Sequence, residues 1–490
     1  MLISKMPDAQ HDPLLLELFK EALLRQLQGS RNLALIAYKR IQEQFPGFVD
    51  GWTNASVVLW EMGRYPEALD MALRAAETGP ENPSAYCALA NARQSLGDFD
   101  DAVVNFQKAL EYDPAHFPAL TNLAGIYVRD GNFAAALELD TRAIQAKPSQ
   151  SALWVNRGYT KLWALDMAGA EADLKHALEL SADNALARWN LAYVHMLQNR
   201  YREAWPNFKA REELPEWSGN RDRLGFEKPR WNGEELNGRA LLIYSEQGFG
   251  DTIQFARFIP RLRQYGGRVL LLTYEPLKRF LTAYLPDIDG LIMAGAPLPP
   301  FDAVIPLMDL PMILKADAPE LAPLPPPILP ECEPLPELDR PGLKAGLVWA
   351  GNPTHLNDAQ RSINPRHLDA LADIKGIAWY GLQKPPSDEP PGLPGFIDMS
   401  PRMGDFMDTA QIARQLDLII TVDTSVAHLA GSLGLPTFVL LPYLPDWRWS
   451  LNSQQTPWYP TLTLLRQPTH GDWQSVISTL KKLIQRHALY

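Results

Sequence analysis

Three stretches of this sequence bring together residue types able to do chemistry. The first is "EQGFGDTIQF", Glu246 to Phe255, in which an apolar run ends in Gln247, Gly248 and Gly250, and Asp251 opens an amphipathic helix. Two glycines let a ligand approach the backbone closely. Asp251 then either addresses that ligand or serves only as the acidic residue that favours a helix start. The spacing is not G-x-G-x-x-G, because Ile253 stands where close helix packing wants a small residue, and only Glu275 is offered as a ribose acid. No G-K-[ST] follows, so a nucleotide phosphate loop is excluded as well.

The second stretch is "DTSVAHLAGSLGLP", Asp423 to Pro436. Asp423 ends an apolar run, Thr424 and Ser425 offer hydroxyls beside the free amides of a helix start, and His428 lies one turn in. That is a pyrophosphate site by its chemistry, or else a packed core histidine on an ordinary helix. The third stretch, "GNPTHLNDAQRS", puts Asn352, His355, Asn357, Asp358 and Arg361 into one loop after a strand. Its spacing suggests no metal site, so it is a ligand loop or a solvated one. Lys384 ends the next strand and either neutralises a phosphate or faces solvent. The D-x-D in "PDIDG" (286–290) precedes its strand and reads as a turn.

These loops need a scaffold that points them at one another. From Gly238 onward short apolar runs alternate with helical stretches, which predicts α/β structure with parallel sheets. The expected strands are 240–244, 268–274, 290–295 and 303–307, then 343–351, 377–383, 416–424 and 437–442, with a closing helix at 472–487. Nine prolines between Pro319 and Pro341 separate the two sets and read as a linker. Residues 217–318 and 342–490 thus form two Rossmann-like domains, with a cleft between the carboxyl ends of their sheets where ligands bind.

The first 216 residues repeat with a period of 34. Alanine recurs at 34, 68, 102, 136, 170 and 204, glycine at 29, 63, 97 and 131, and proline at 46, 80, 114 and 148. A helix that ends at the glycine, a second that packs closely through the alanine, and a proline that stops it make a two-helix unit. With Trp52, Tyr86, Leu120 and Trp154 at the fourth position, it resembles the tetratricopeptide repeat. About six units span 15–216 after a tail of 1–14, and the last ones, short of the glycine and proline signals, read as caps docked on the next domain. The fold class is therefore an α-solenoid followed by α/β. Asn54, Asn122, Asn156 and Asn190 share the sixth repeat position, on the helix lining the groove, where side-chain amides hold an extended peptide backbone. Asparagine is also common there in such repeats generally, so this ladder stays open, while a protein or peptide partner follows from the array.

Composition sets the outer bounds. The chain has 490 residues, a formal charge of −11, 46% hydrophobic and 21% charged residues. That argues for several ordinary globular domains and against general nucleic-acid affinity. Cys87 and Cys332 make no disulfide framework. The polar, proline-broken start and the lack of an apolar run of membrane-spanning length lead to a cytoplasmic expectation.

Together "EQGFGDTIQFARF", "GNPTHLNDAQRS", "DTSVAHLAGSLGLP" and "LPDWRW" resemble bacterial tetratricopeptide-repeat glycosyltransferases, whose catalytic half is similar to the heptosyltransferases and has the GT-B fold. The layout is also similar to that of O-GlcNAc transferases. The resemblance implies that Asp251 is the general base of an S-x-x-G-D loop, and that Asp423, Thr424, Ser425 and His428 hold the donor phosphates, with Arg361 and Lys384 as basic contacts. The heptosyltransferase lysine near "THLND" is absent, leaving Arg361 as the cation for the leaving diphosphate. "DWRW", with Arg448, belongs at the cleft wall without an assigned role. The implied activity is inverting, metal-independent transfer from a nucleotide sugar, with no other cofactor, to a protein hydroxyl, on flagellin or another surface protein. A transferase acting on a lipopolysaccharide-type glycan and a non-catalytic scaffold are the alternatives.

Overall fold

The 34-residue period becomes helix pairs. This computed structural model describes residues 12–215, 227–317, 321–354 and 357–487, and the chain divides into Met1–Asn184 and Ala185–Tyr490. The first unit holds α1 (Pro13–Leu27), α2 (Arg31–Gln44), α3 (Val49–Glu61), α4 (Tyr65–Thr78), α5 (Pro83–Ser95), α6 (Phe99–Tyr112), α7 (Phe117–Arg129), α8 (Phe133–Ala146), α9 (Ser151–Trp163) and α10 (Met167–Leu180). The first helix starts at Pro13, with Asp12 accepting from the Leu14 amide at 2.8 Å; residues 1–11 of the expected tail lie outside the described residues. Ala34, Ala68, Ala102, Ala136 and Ala170 are all fully buried, as close helix packing demands.

The turn inside each pair is left-handed. Gly29, Gly63, Gly97 and Gly131 have φ between 73° and 90°, and Leu165, one period on, keeps φ at 60° without being glycine. The repeat geometry therefore overrides a strain of about 1–2 kcal/mol. The fourth-position aromatics have a second use. Trp52, Tyr86 and Trp154 donate to the carbonyls of Pro46, Pro80 and Pro148 at 2.9, 3.1 and 2.8 Å. Where Leu120 replaces the aromatic, Arg142 donates to the Pro114 carbonyl at 3.0 Å.

The second unit starts with one more pair, α11 (Ala185–Leu197) and α12 (Tyr201–Phe208), whose turn residue Asn199 keeps φ at 61°. This pair is docked on the α/β part. Tyr193 donates to the Pro445 carbonyl at 3.1 Å, Trp205 to the Ala316 carbonyl at 2.8 Å, and Trp458 to the Tyr201 hydroxyl at 3.2 Å. Tyr201, Trp205, Trp447 and Trp458 are almost wholly buried. At about 1.5–3 kcal/mol each, these side chains approach the net stability of a domain, about 5–15 kcal/mol, so the pair is integral to this unit.

Two parallel sheets follow. β1 (Ala240–Tyr244), β2 (Arg268–Thr273), β3 (Gly290–Met293) and β4 (Ala303–Pro306) lie in the order β3-β2-β1-β4. β5 (Leu343–Val348), β6 (Ile377–Gly381), β7 (Ile397–Asp398), β8 (Leu418–Val422), β9 (Thr437–Leu441) and β10 (Leu462–Arg466) lie in the order β10-β9-β8-β5-β6-β7. Every pairing is parallel. In both sheets the first strand sits at the point where the order reverses, which is where doubly wound sheets open a crevice at their carboxyl edge. β1, β8 and β9 are buried at every residue, as strands covered on both faces must be. The helices that matter below are α13 (Phe249–Ala256), α14 (Lys278–Tyr284), α15 (Phe406–Ala413), α16 (Ser425–Ser432) and α17 (Trp473–His487).

β7 and β10 were not expected from the sequence; they are the two edge strands of their sheet. The proline-rich segment has no strand among its described residues, but it carries a 3-10 turn at Pro336–Leu338 and buries Leu321, Leu329 and Leu338. It is a packed connection. No helix among the described residues is long and apolar enough to cross a membrane.

Candidate functional site

The loops after β1, β5 and β8 leave their sheets beside the two switch points, between β1 and β4 and between β5 and β8. After β1 the chain turns through Gln247 and Gly248 into α13. The Gly248 amide donates to Asp251 Oδ2 at 3.0 Å, and Tyr274, at the end of β2, donates to the Gln247 carbonyl at 2.6 Å. After β8, Thr424 caps α16: its Oγ1 accepts from the Val426 amide at 3.3 Å and lies 3.0 Å from the Thr421 hydroxyl.

The first turns of α13 and α16 pack directly against each other. A Cβ built on Gly250 would lie 2.7 Å from His428 Cδ2 and 3.3 Å from the Ser425 Cα. Gly250 is thus a contact glycine between the two sheets. His428 cannot retreat, because Nδ1 is paired with the Tyr459 hydroxyl at 3.0 Å and the ring stacks on Trp449 with centroids 5.3 Å apart. Gly250→Ala is expected to cost about 1–3 kcal/mol by overpacking. In the Gly250→Ala/His428→Ala double variant, thermal unfolding should show a loss clearly smaller than the sum of the single losses. Additive losses would mean that the two residues do not collide.

Arg448 is the electrostatic centre. It sits in the 3-10 turn Trp447–Trp449 after β9, 7% exposed. Nη2 pairs with Asp251, Nε donates to Gln254, and Nη1 donates to Asp446 at 2.8 Å. Burial works against its charge, but Asp446, Asp251 and Asp423 outweigh that and raise its pKa above the ordinary arginine value. Asp423 is raised by burial and by Asp446, against the pull of Arg361 and Arg448. His428 is held well below its usual range by burial, then by Arg448, Arg257 and Arg361, so its imidazole is neutral.

Asp251, Gly248, Gly250, Asp423, Thr424, Ser425, His428 and Arg448 therefore meet, with Arg361 close enough to act on both Asp423 and His428. Arg361 lies against Gly351, where an added Cβ would be 2.5 Å from its Nη2, and pairs with Asp358 at 3.2 Å. His428 has its Nδ1 paired with Tyr459 and its ring stacked on Trp449. Lys384 is an exposed residue whose ammonium donates to the Met403 carbonyl. Asn352 closes its own turn by accepting from Thr354 at 3.1 and 2.9 Å. Asn357 precedes the helical turn Asp358–Arg361, and His355 lies outside the described residues.

The asparagine ladder is uneven. Asn54 donates to its own helix at the Asp50 carbonyl, 2.8 Å, Asn122 donates to Asn91 Oδ1 at 2.7 Å, Asn156 is half-buried, and Asn190 is buried at 6% exposure. Asn54 and Asn122 thus each spend a donor inside the repeats, and the peptide ladder stays open. Among the described residues no three His, Cys, Asp or Glu side chains are arranged to hold a metal ion. The sequence reading gave no role to Asp446 and Gln254, which hold Arg448, or to Tyr459, which holds His428; Asp446 and Gln254 lie in or beside the "DWRW" and "GFGD" segments, whereas nothing near Tyr459 in the sequence marks it.

Residues 87–151 match the tetratricopeptide repeat model. Protein FlbA of Caulobacter vibrioides is 24% identical over 481 residues, covering 90% of this chain and 74% of FlbA, so that similarity runs through both units. Heat shock protein STI1 of Saccharomyces cerevisiae is 33% identical over 119 residues, 24% of this chain and 20% of STI1. The solved structure of YrrB, a TPR protein with an unusual peptide-binding site, is 22% identical and covers 35% of this chain and 88% of its own, with a TM-score of 0.28. The helix pairs are tetratricopeptide repeats, followed by a region of parallel sheets and helices.

Proposed function

We propose that this chain, with tetratricopeptide repeats ahead of two doubly wound sheets, is a glycosyltransferase of the GT-B kind. It moves a sugar from a nucleotide-sugar donor to a protein hydroxyl, with inversion and without a bound metal, and the repeats recruit the acceptor protein. One observation carries the reading: the Asp251 carboxylate at the carboxyl edge of one sheet and the Thr424–Ser425 helix start at the carboxyl edge of the other meet around Arg448.

The division of labour follows from that juxtaposition. Asp251 takes the proton of the acceptor hydroxyl as its oxygen bonds to the anomeric carbon. On the opposite face the bond from that carbon to the diphosphate oxygen breaks. The charge that develops there is met by the positive end of α16, the hydroxyls of Thr424 and Ser425, and Arg361. Repeats of this kind serve protein recognition, which suits a transferase whose acceptor is a polypeptide.

Donor binding tests this reading directly. In a panel of nucleoside diphosphate sugars, one class is expected to raise the melting temperature by about 5 °C at a hundred times its Kd. Arg361→Gln should weaken that donor about tenfold or more, the loss expected for a charge-assisted contact. If no nucleotide sugar shifts the transition at millimolar concentration, the transferase reading fails.

A further inference from the structure

We infer that Arg448 is a positioning residue for Asp251: a guanidinium carried by the second sheet holds the carboxylate of the first, so this acid is assembled only when the sheets are docked. The inference rests on the transferase reading above. Neither the repeats nor the four matched motifs give Arg448 this task.

Arg448 is built not to move. Besides its pairs with Asp251, Gln254 and Asp446, its own amide donates to Asp446 at 3.0 Å, and its carbonyl accepts from the Thr456 hydroxyl at 2.9 Å. The guanidinium lies 4.3 Å from the Trp447 ring centroid and 5.9 Å from that of Phe255. A cation fixed on all sides has no free arm to swing toward a ligand. What it does is fix Asp251, whose Oδ1 it holds while the Gly248 amide holds Oδ2. The carboxylate keeps 22% exposure, so it is aimed and still reachable.

The surroundings need this cation. Glu246 from the loop after β1, Asp423 from the end of β8 and Asp446 beside Arg448 are the carboxylates on the elements around Asp251; Glu246 is paired with Arg211, Tyr274 after β2 stays a neutral phenol because burial raises its pKa, and His428 from α16 is neutral. Arg361 is paired with Asp358. Without Arg448 the carboxylate would lose the contact that fixes Oδ1 and be held by the Gly248 amide alone.

The test is kcat and donor KM for wild type, Arg448→Gln and Arg448→Lys, with thermal stability measured in parallel. In Arg448→Gln kcat should fall about tenfold or more, as expected when a reacting group loses its aim, while donor KM changes less than threefold. Arg448→Lys should return part of kcat but not all of it, because a point charge does not reproduce the guanidinium fork. A kcat within about threefold of wild type in Arg448→Gln, or a loss in donor KM as large as the loss in kcat, overturns the positioning role and leaves the transferase reading intact. If Arg448→Gln does not fold, the same split in Arg448→Lys still decides. Wild type inactive with every donor would instead defeat the transferase reading itself.

Discussion

Asp251→Asn is expected to lower transfer by about 10²–10⁴-fold while donor affinity stays unchanged or improves. An amide cannot accept the acceptor's proton. The donor's phosphates sit at the start of α16, and removing a negative charge from beside them does not weaken them. The substitution also has a structural cost. The carboxylate offers two acceptor oxygens to two donors, Arg448 and the Gly248 amide, whereas asparagine offers one oxygen and turns an N–H at the other donor. That conflict is worth about 1–3 kcal/mol and should appear as a lower melting temperature. Initial rates therefore have to be read at a temperature where the variant is fully folded, beside the donor-induced thermal shift. A variant that keeps its rate within about threefold shows that the proton goes elsewhere.

The repeats were legible because their determinants are local. Ala102 is buried in a helix whose partner is the helix just before it in the chain, and a period of 34 writes the same pairing again and again. Even the units lacking the glycine keep the left-handed turn, at Leu165 and Asn199, which the period marks and the residue type conceals. The central strands were legible as apolar runs, because parallel strands are covered on both faces. The edge strands β7 and β10 escaped notice, since Ile397–Asp398 is too short to show alternation and β10 leaves Thr463 and Arg466 half-buried. The site was only half legible. Asp251 and Thr424 stand out because each follows an apolar run and opens a helix. That Arg448 touches Asp251, or that His428 serves packing against Gly250, is a long-range fact fixed by how the sheets dock, and no spacing records it.

The same limit hid a second arginine, whose loss should be the most damaging to stability. Arg211→Met is expected to destabilise the Ala185–Tyr490 unit by about 3–5 kcal/mol, the cost of breaking a buried ion pair from one side. In the sequence "KAREE" reads as the polar end of the last repeat. In the structure Arg211 is fully buried, with Nη2 2.7 Å from both Glu246 and Asp309 and Nη1 donating to the Phe208 carbonyl at 3.2 Å. Glu246 follows β1 and Asp309 follows β4, so this guanidinium fills the switch point of the first sheet from the repeat side. Arg230, which pairs with Asp309 and with Glu212 at 2.7 Å, completes the cluster. Methionine would fill the volume but leave the Glu246 carboxylate facing no cation from Arg211 and Asp309 with one cation fewer. Restoring neutrality should therefore repair most of the damage: Arg211→Met/Glu246→Gln/Asp309→Asn is expected to recover at least half of the lost stability in urea unfolding. If the triple variant falls further than the single one, the cluster acts through packing and not through charge. Glu246 stands five residues before Asp251, in the loop that leads into α13. Arg211→Met should accordingly lower kcat at temperatures where the protein is still folded, because the loop that leads into the acid's helix has lost its anchor.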